Sequence, residues 1–133
     1  MAFDLEVVTP ERTIYSGKVE SVRAPGSEGG FGVLSRHQPM LSALGVGQVS
    51  FVEAGGKKES MAISGGFSEV QRDRMTILAE TAEVSGNIDI FRAESARDRA
   101  QERLSRRLDP DVDVDRAEVA LGRALWRLKV VGR

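Results

Sequence analysis

The chain has 133 residues, 19 Lys or Arg against 20 Asp or Glu, a single histidine and no cysteine. That length suits one compact domain, or one small domain with an appendage. A net charge of −1 leaves no electrostatic footprint for nucleic acid, and the missing cysteines exclude disulfide frameworks, thiolate metal sites and cysteine nucleophiles.

At the N-terminus, Asp4 and Glu6 stand where a signal peptide carries basic residues, and no later run reaches the length of a membrane span. A soluble, cytoplasmic protein without direct membrane insertion is predicted. Residues 1 to 87 hold 12 of the 14 glycines and three of the four prolines, so turns are frequent and elements short. Between those turns, "FDLEVVT" alternates Phe3, Leu5 and Val7 on one face, "QVSFVE" sets Val49 beside Phe51, and "RMTILAE" does the same with Met75, Ile77 and Ala79. "EAGGKKE" reads as a hairpin connection in which Gly55 and Gly56 can take positive φ. The first 86 residues are thus expected to form an antiparallel β-sandwich or barrel with no long helix.

After Gly86 the period becomes helical. Phe91, Ala96, Ala100 and Leu104 recur along "IDIFRAESARDRAQERLSRRL", and the Asp109-Pro110 dipeptide is expected to end that helix. "DPDVDVD" follows as an acidic turn in which Asp113 or Asp115 can cap a second helix. That helix, "RAEVALGRALWRLKVV", carries an apolar stripe of Ala117, Leu121, Ala124, Leu125 and Leu128. The short loop makes the pair an antiparallel hairpin over residues 87 to 133, so the class is α+β. Its packing face is rich in alanine and gains little on burial, which leaves room for a second stable position of the arm.

Catalytic constellations are missing. His37, in "LSRHQP", has no serine and acid placed around it and reads as a loop or contact residue. "PGSEGGFG" and "GGKKES" both lack the spacing of a phosphate-binding loop, and nothing clusters with metal-ligand spacing. The arginines say more. Arg92, Arg99 and Arg103 lie within about 40° of one another around the first helix, beside a stripe of Asp89, Ala93, Ala96 and Ala100. Arg116, Arg123 and Arg127 share the face of the second helix opposite the leucines, and neither Arg123 nor Arg127 has an acid three or four positions away. The two readings are a solvated basic face, or a site for an anion: a phosphate chain or a partner's carboxylates.

Taken in order, "LEVVTPERTIYSG", "GSEGGFGVLSRHQPML", "AISGGFSEV" and "TILAETAE", followed by the alanine and arginine hairpin, resemble the epsilon subunit family of bacterial F-type ATP synthases. The resemblance implies a β-sandwich followed by two helices, working in the central stalk without catalysing anything itself. It implies gamma and the c-ring as partners of the sandwich, with the alpha and beta subunits met by an extended, inhibitory hairpin. The implied location is peripheral, on the cytoplasmic face of the bacterial inner membrane. Contact with the c-ring or gamma is implied for Glu28, Gly30, Phe31, Arg36 and His37; Ser35-Arg36 stand where the family often has Pro-Gly. The resemblance also implies no required cofactor but a regulatory ATP, held at Ile88, Asp89, Arg92 and Ala93, which match the family's short motif, with Glu83, Arg99, Arg123 and Arg127. A freestanding ATP-sensing module is the alternative.

Overall fold

The computed structural model describes all 133 residues. Seven strands come first: β1 (Phe3–Val8), β2 (Thr13–Gly26), β3 (Gly29–Leu34), β4 (Met40–Glu53), β5 (Lys58–Gln71), β6 (Arg74–Ala79) and β7 (Ala82–Val84). A single 3-10 turn, Ser85–Asn87, leads into α1 (Ile90–Ser105) and α2 (Val114–Val130). The expected class holds: a β-sandwich followed by a helical hairpin.

The strands run β1-β6-β5-β4-β2-β3, with β1 also pairing β2 and β7 pairing β5. Pairing is antiparallel throughout except for β1 and β6, which run parallel with Leu5 opposite Met75. Strand β1 pairs both β2 and β6 and so closes a ring of five strands, β1-β6-β5-β4-β2; alternating directions cannot close around an odd number, so one pair must be parallel. The three 14-residue strands β2, β4 and β5 bend to serve both layers. The bend in β5 falls at Gly65 and Gly66, with φ of 103° and 137°. A side chain at Gly66 would begin 2.0 Å from the Leu78 carbonyl oxygen, so the backbone there requires glycine.

Between the layers lies a core of 17 buried apolar residues, including every strand residue placed inward by alternation: Phe3, Leu5, Val7, Val49, Phe51, Met75, Ile77 and Ala79. The turn between β4 and β5 uses only Gly56 at positive φ, 93°. Gly55 does not need that freedom.

The hairpin departs from its sequence expectation in three places. First, α1 ends at Ser105, ahead of Asp109-Pro110. The Ser105 hydroxyl bonds the Glu102 carbonyl, and the chain tightens through Arg106 N–H to Arg103 and Arg107 N–H to Leu104. Leu108 beyond it is 96% exposed, so no packing pulls the helix onward. Second, Phe91 is 79% exposed and Leu125 46%. The seam is made by the small members of the expected stripes, Ala100 on α1 and Ala117 and Ala124 on α2 with Leu128 below, joined by Ala93 seven residues before Ala100. Alanines at that spacing let two helices approach closely, and large side chains beside them are left outside. Third, α2 begins at Val114 and packs on β4 and β5, whereas α1 lies on α2.

Candidate functional site

The first turn of α1 is built by Asp89. Its backbone is extended, and its carboxylate Oδ1 accepts from the Arg92 N–H at 3.1 Å, which makes it the N-cap. An aspartate just ahead of a helical run is the signal for this cap, and sequence reasoning passed over it. Asp113 does the same for α2, accepting from Arg116 N–H at 3.0 Å, as one of the two expected caps.

Above that turn is a cavity of about 330 Å³ lined by Glu83, Asn87, Asp89, Arg92, Ala93, Ala96, Arg99 and Arg127. It lies where three elements meet: the end of β7 with its 3-10 turn, the start of α1, and the end of α2. Because the hairpin is antiparallel, the last turn of α2 returns Arg127 to the start of α1. Six of the eight residues assigned to an anion site therefore share one space.

The other two do not. Ile88 is buried beneath the turn, where it anchors the entry to α1. Arg123, one helical turn from Arg127 toward the hairpin loop, lines a neighbouring cleft with Arg103, Arg116, Asp113 and Asp115.

Arg127 is not a member of a purely solvated face. Its side chain is 30% exposed, and its Nε donates to Glu83 Oε1 at 2.5 Å. The counterion missing from the helix comes from 44 residues away, across the seam to the sandwich. Arg92 and Arg99 make no ion pair in the chain, whereas Arg106 pairs with Glu102 at 2.7 Å and Arg107 with Glu118 at 3.3 Å. The Arg106 hydrogen bonds hold the Glu102 carboxyl below its ordinary range, in an exposed pair outside the cavity.

The cavity thus offers two unpaired guanidinium groups, the forked end of a third, and a carboxylate with one oxygen, Oδ2, not used by its cap. Guanidinium forks bind phosphate or carboxylate oxygens, and a carboxylate accepts from an amino group. No group of His, Cys, Asp or Glu is arranged to hold a metal ion.

The second set of expected contact residues is divided. Glu28, Gly30 and Phe31 belong to the β2–β3 turn and the start of β3, and Gly30 and Phe31 line a cleft with Trp126 and Lys129 at the end of α2. Arg36 and His37 lie beyond the other end of β3, on the order of 15 Å away along the strand. Arg36 has φ of 63°, the left-handed region, and its N–H bonds the Arg72 carbonyl at 3.1 Å. His37 Nδ1 lies 2.7 Å from the Gln38 carbonyl, which only accepts, so that nitrogen carries the proton.

An apolar groove of about 410 Å³ was not foreseen. Phe67 and Leu78 pair directly across β5 and β6, each more than half exposed, and line it with Val8, Thr9 and Pro10. Alternation assigns both to the outward face, and only the assembled sheet sets them side by side.

Comparison with known proteins accords with this architecture. Residues 2–85 match the family described as ATP synthase, Delta/Epsilon chain, beta-sandwich domain, and residues 87–132 match its long alpha-helix domain. The chain is 48% identical over 128 residues to the ATP synthase epsilon chain of Nitratidesulfovibrio vulgaris, covering 96% of this chain and 94% of that one. It is 43% identical over 133 residues to that of Anaeromyxobacter dehalogenans, with both chains covered in full. Among solved structures, a chain of the Euglena gracilis mitochondrial ATP synthase assembly of OSCP, F1 and c-ring superposes with a TM-score of 0.81 at 26% identity, over 93% of this chain and 78% of that one. A chain of the Tetrahymena thermophila central stalk and c-ring shares the fold, with a TM-score of 0.58 at 12% identity, over 96% of this chain and 95% of that one. With both regions matched in order and identities above 40% over nearly the full length, the protein belongs to the ATP synthase epsilon chain family.

Proposed function

We propose that this chain serves in the central stalk of a bacterial ATP synthase, coupling rotation of gamma and the c-ring to ATP synthesis, and that its docked hairpin carries a regulatory ATP site. One observation supports the regulatory part above all: a cavity walled by Asp89, Arg92, Arg99 and Arg127 that exists only while β7, α1 and α2 are assembled. A ligand that touches all three elements stabilises the docked arm by its differential affinity for that state. The Asp89 carboxylate suits the amino group of adenine, and the arginines suit phosphates. Residues 1–86 then form the rotor-binding domain, and residues 87–133 the arm that reaches alpha and beta when extended. The complex is peripheral on the cytoplasmic face of the inner membrane; no helix of this chain is long and apolar enough to cross a membrane.

The groove with Phe67 and Leu78 suits gamma, because two large apolar side chains more than half exposed gain from a partner's cover. Arg36 and His37, displayed at the loop end of β3, suit the c-ring. No cofactor is needed for either contact.

Calorimetric titration of the whole chain with ATP, beside an Arg99→Ala and Arg127→Ala variant, tests the site. Binding lost in the variant is expected; equal binding by both chains removes this cavity from the reading. ATP hydrolysis by a complex reconstituted with residues 1–87 alone tests the arm, and unchanged hydrolysis would remove its inhibitory role.

A further inference from the structure

The geometry points to a role for Glu83 distinct from that of a nucleotide ligand: we infer that it is a positioning residue, aiming Arg127 into the cavity and making anion binding depend on the docking of hairpin to sandwich. The inference rests on the nucleotide reading of that cavity. Its basis is which nitrogen Glu83 holds. Arg127 gives Nε to Glu83 Oε1, and neither terminal nitrogen has a partner in the chain. Arg127 lines the cavity, and its forked end, the part that takes a phosphate in the bidentate manner, is not engaged by Glu83. A carboxylate gripping the fork itself would compete with an anion. One gripping Nε orients the fork instead.

The same bond has a second property. Of the side-chain hydrogen bonds and ion pairs in the chain, it alone joins a strand to either helix. Elsewhere across that interface, Trp126 lies over Gly47 beside Pro25. Arg127 therefore belongs at once to the docking of the arm and to the wall of the cavity. By linkage, an anion on its fork strengthens docking, and docking strengthens anion binding by the same factor.

Trp126 is the one tryptophan of the chain, so its emission reads docking while calorimetry with ATP reads the site. In Glu83→Leu, which cannot accept from Nε, ATP binding is expected to weaken about tenfold, the loss of roughly one charge-assisted contact, with Trp126 emission shifted toward that of a solvated indole. Glu83→Gln retains a carbonyl oxygen for Nε and is expected to restore most of that loss. Arg127→Lys keeps an ion pair with Glu83 but has no fork. It should leave Trp126 emission unchanged while weakening ATP about tenfold, and ATP binding equal to that of the unaltered chain would overturn the part given to the fork, whether or not Glu83→Leu folds. Two outcomes overturn the inference alone: ATP binding by Glu83→Leu equal to that of the unaltered chain, or Glu83→Gln as weak as Glu83→Leu, which would make Glu83 a charge or direct ligand. Absence of ATP binding by the unaltered chain, up to millimolar concentrations, would overturn the nucleotide reading and this inference with it.

Discussion

Arg36 shows how a single residue records a backbone demand. Its φ of 63° lies where a Cβ crowds the following carbonyl, at a cost of about 1–2 kcal/mol, and glycine avoids that cost. Arg36→Gly is expected to stabilise the chain by about 0.5–1 kcal/mol, once the entropy glycine loses on folding is deducted, seen as a higher urea midpoint. Tyr15 gives a pH dependence of known sign. Burial first, then the charges of Glu53 and Glu59, raise its pKa above the ordinary 10.0. The unfolded chain thus releases this proton first. The contribution is fully present below pH 10 and is lost as pH rises through the folded value, so Tyr15→Phe should flatten the loss of stability above pH 10 in alkaline urea titrations.

At the scale of elements, strands were more legible than helices. Alternation identifies Phe3, Leu5, Val7, Met75 and Ile77 as inward because a strand's side-chain period of two leaves no choice once one face is buried. Helical periodicity misassigns Phe91 and Leu125, because apolarity marks a stripe while packing rewards whatever fits the gap between two helices. Here the gap takes alanine: Ala124 is fully buried and Ala100 nearly so. Ala124→Leu should therefore destabilise the hairpin by about 1–3 kcal/mol through overpacking, even though leucine is the more hydrophobic residue. Hydrogen exchange of α1 and α2 would register it, with the amides of β4 and β5 near Met61 unaffected.

Taken whole, the molecule divides its stability unevenly. All 17 residues of the main core lie between Phe3 and Ala82, whereas the buried residues of the helices are four alanines and Leu128. Residues 1–86 are expected to keep a cooperative thermal transition by circular dichroism when expressed alone, and residues 87–133 alone to lose most of their helicity, because isolated helices of this length are marginal in water. The sequence by itself determined the two regions, their order, the inward face of each recognised strand and the family, since these rest on local period, turn chemistry and motif order. Most residues of the proposed anion site were also legible, as an arginine face and a short motif at the start of a helix. Only the tertiary structure decided that Arg127 shares a cavity with Arg92 and Arg99 while Arg123 does not, that its counterion is Glu83, and that Phe67 and Leu78 meet on one open face. Each of those facts depends on where the antiparallel return of α2 and the register of β5 on β6 set side chains far apart in sequence, and neither periodicity nor composition carries that distance.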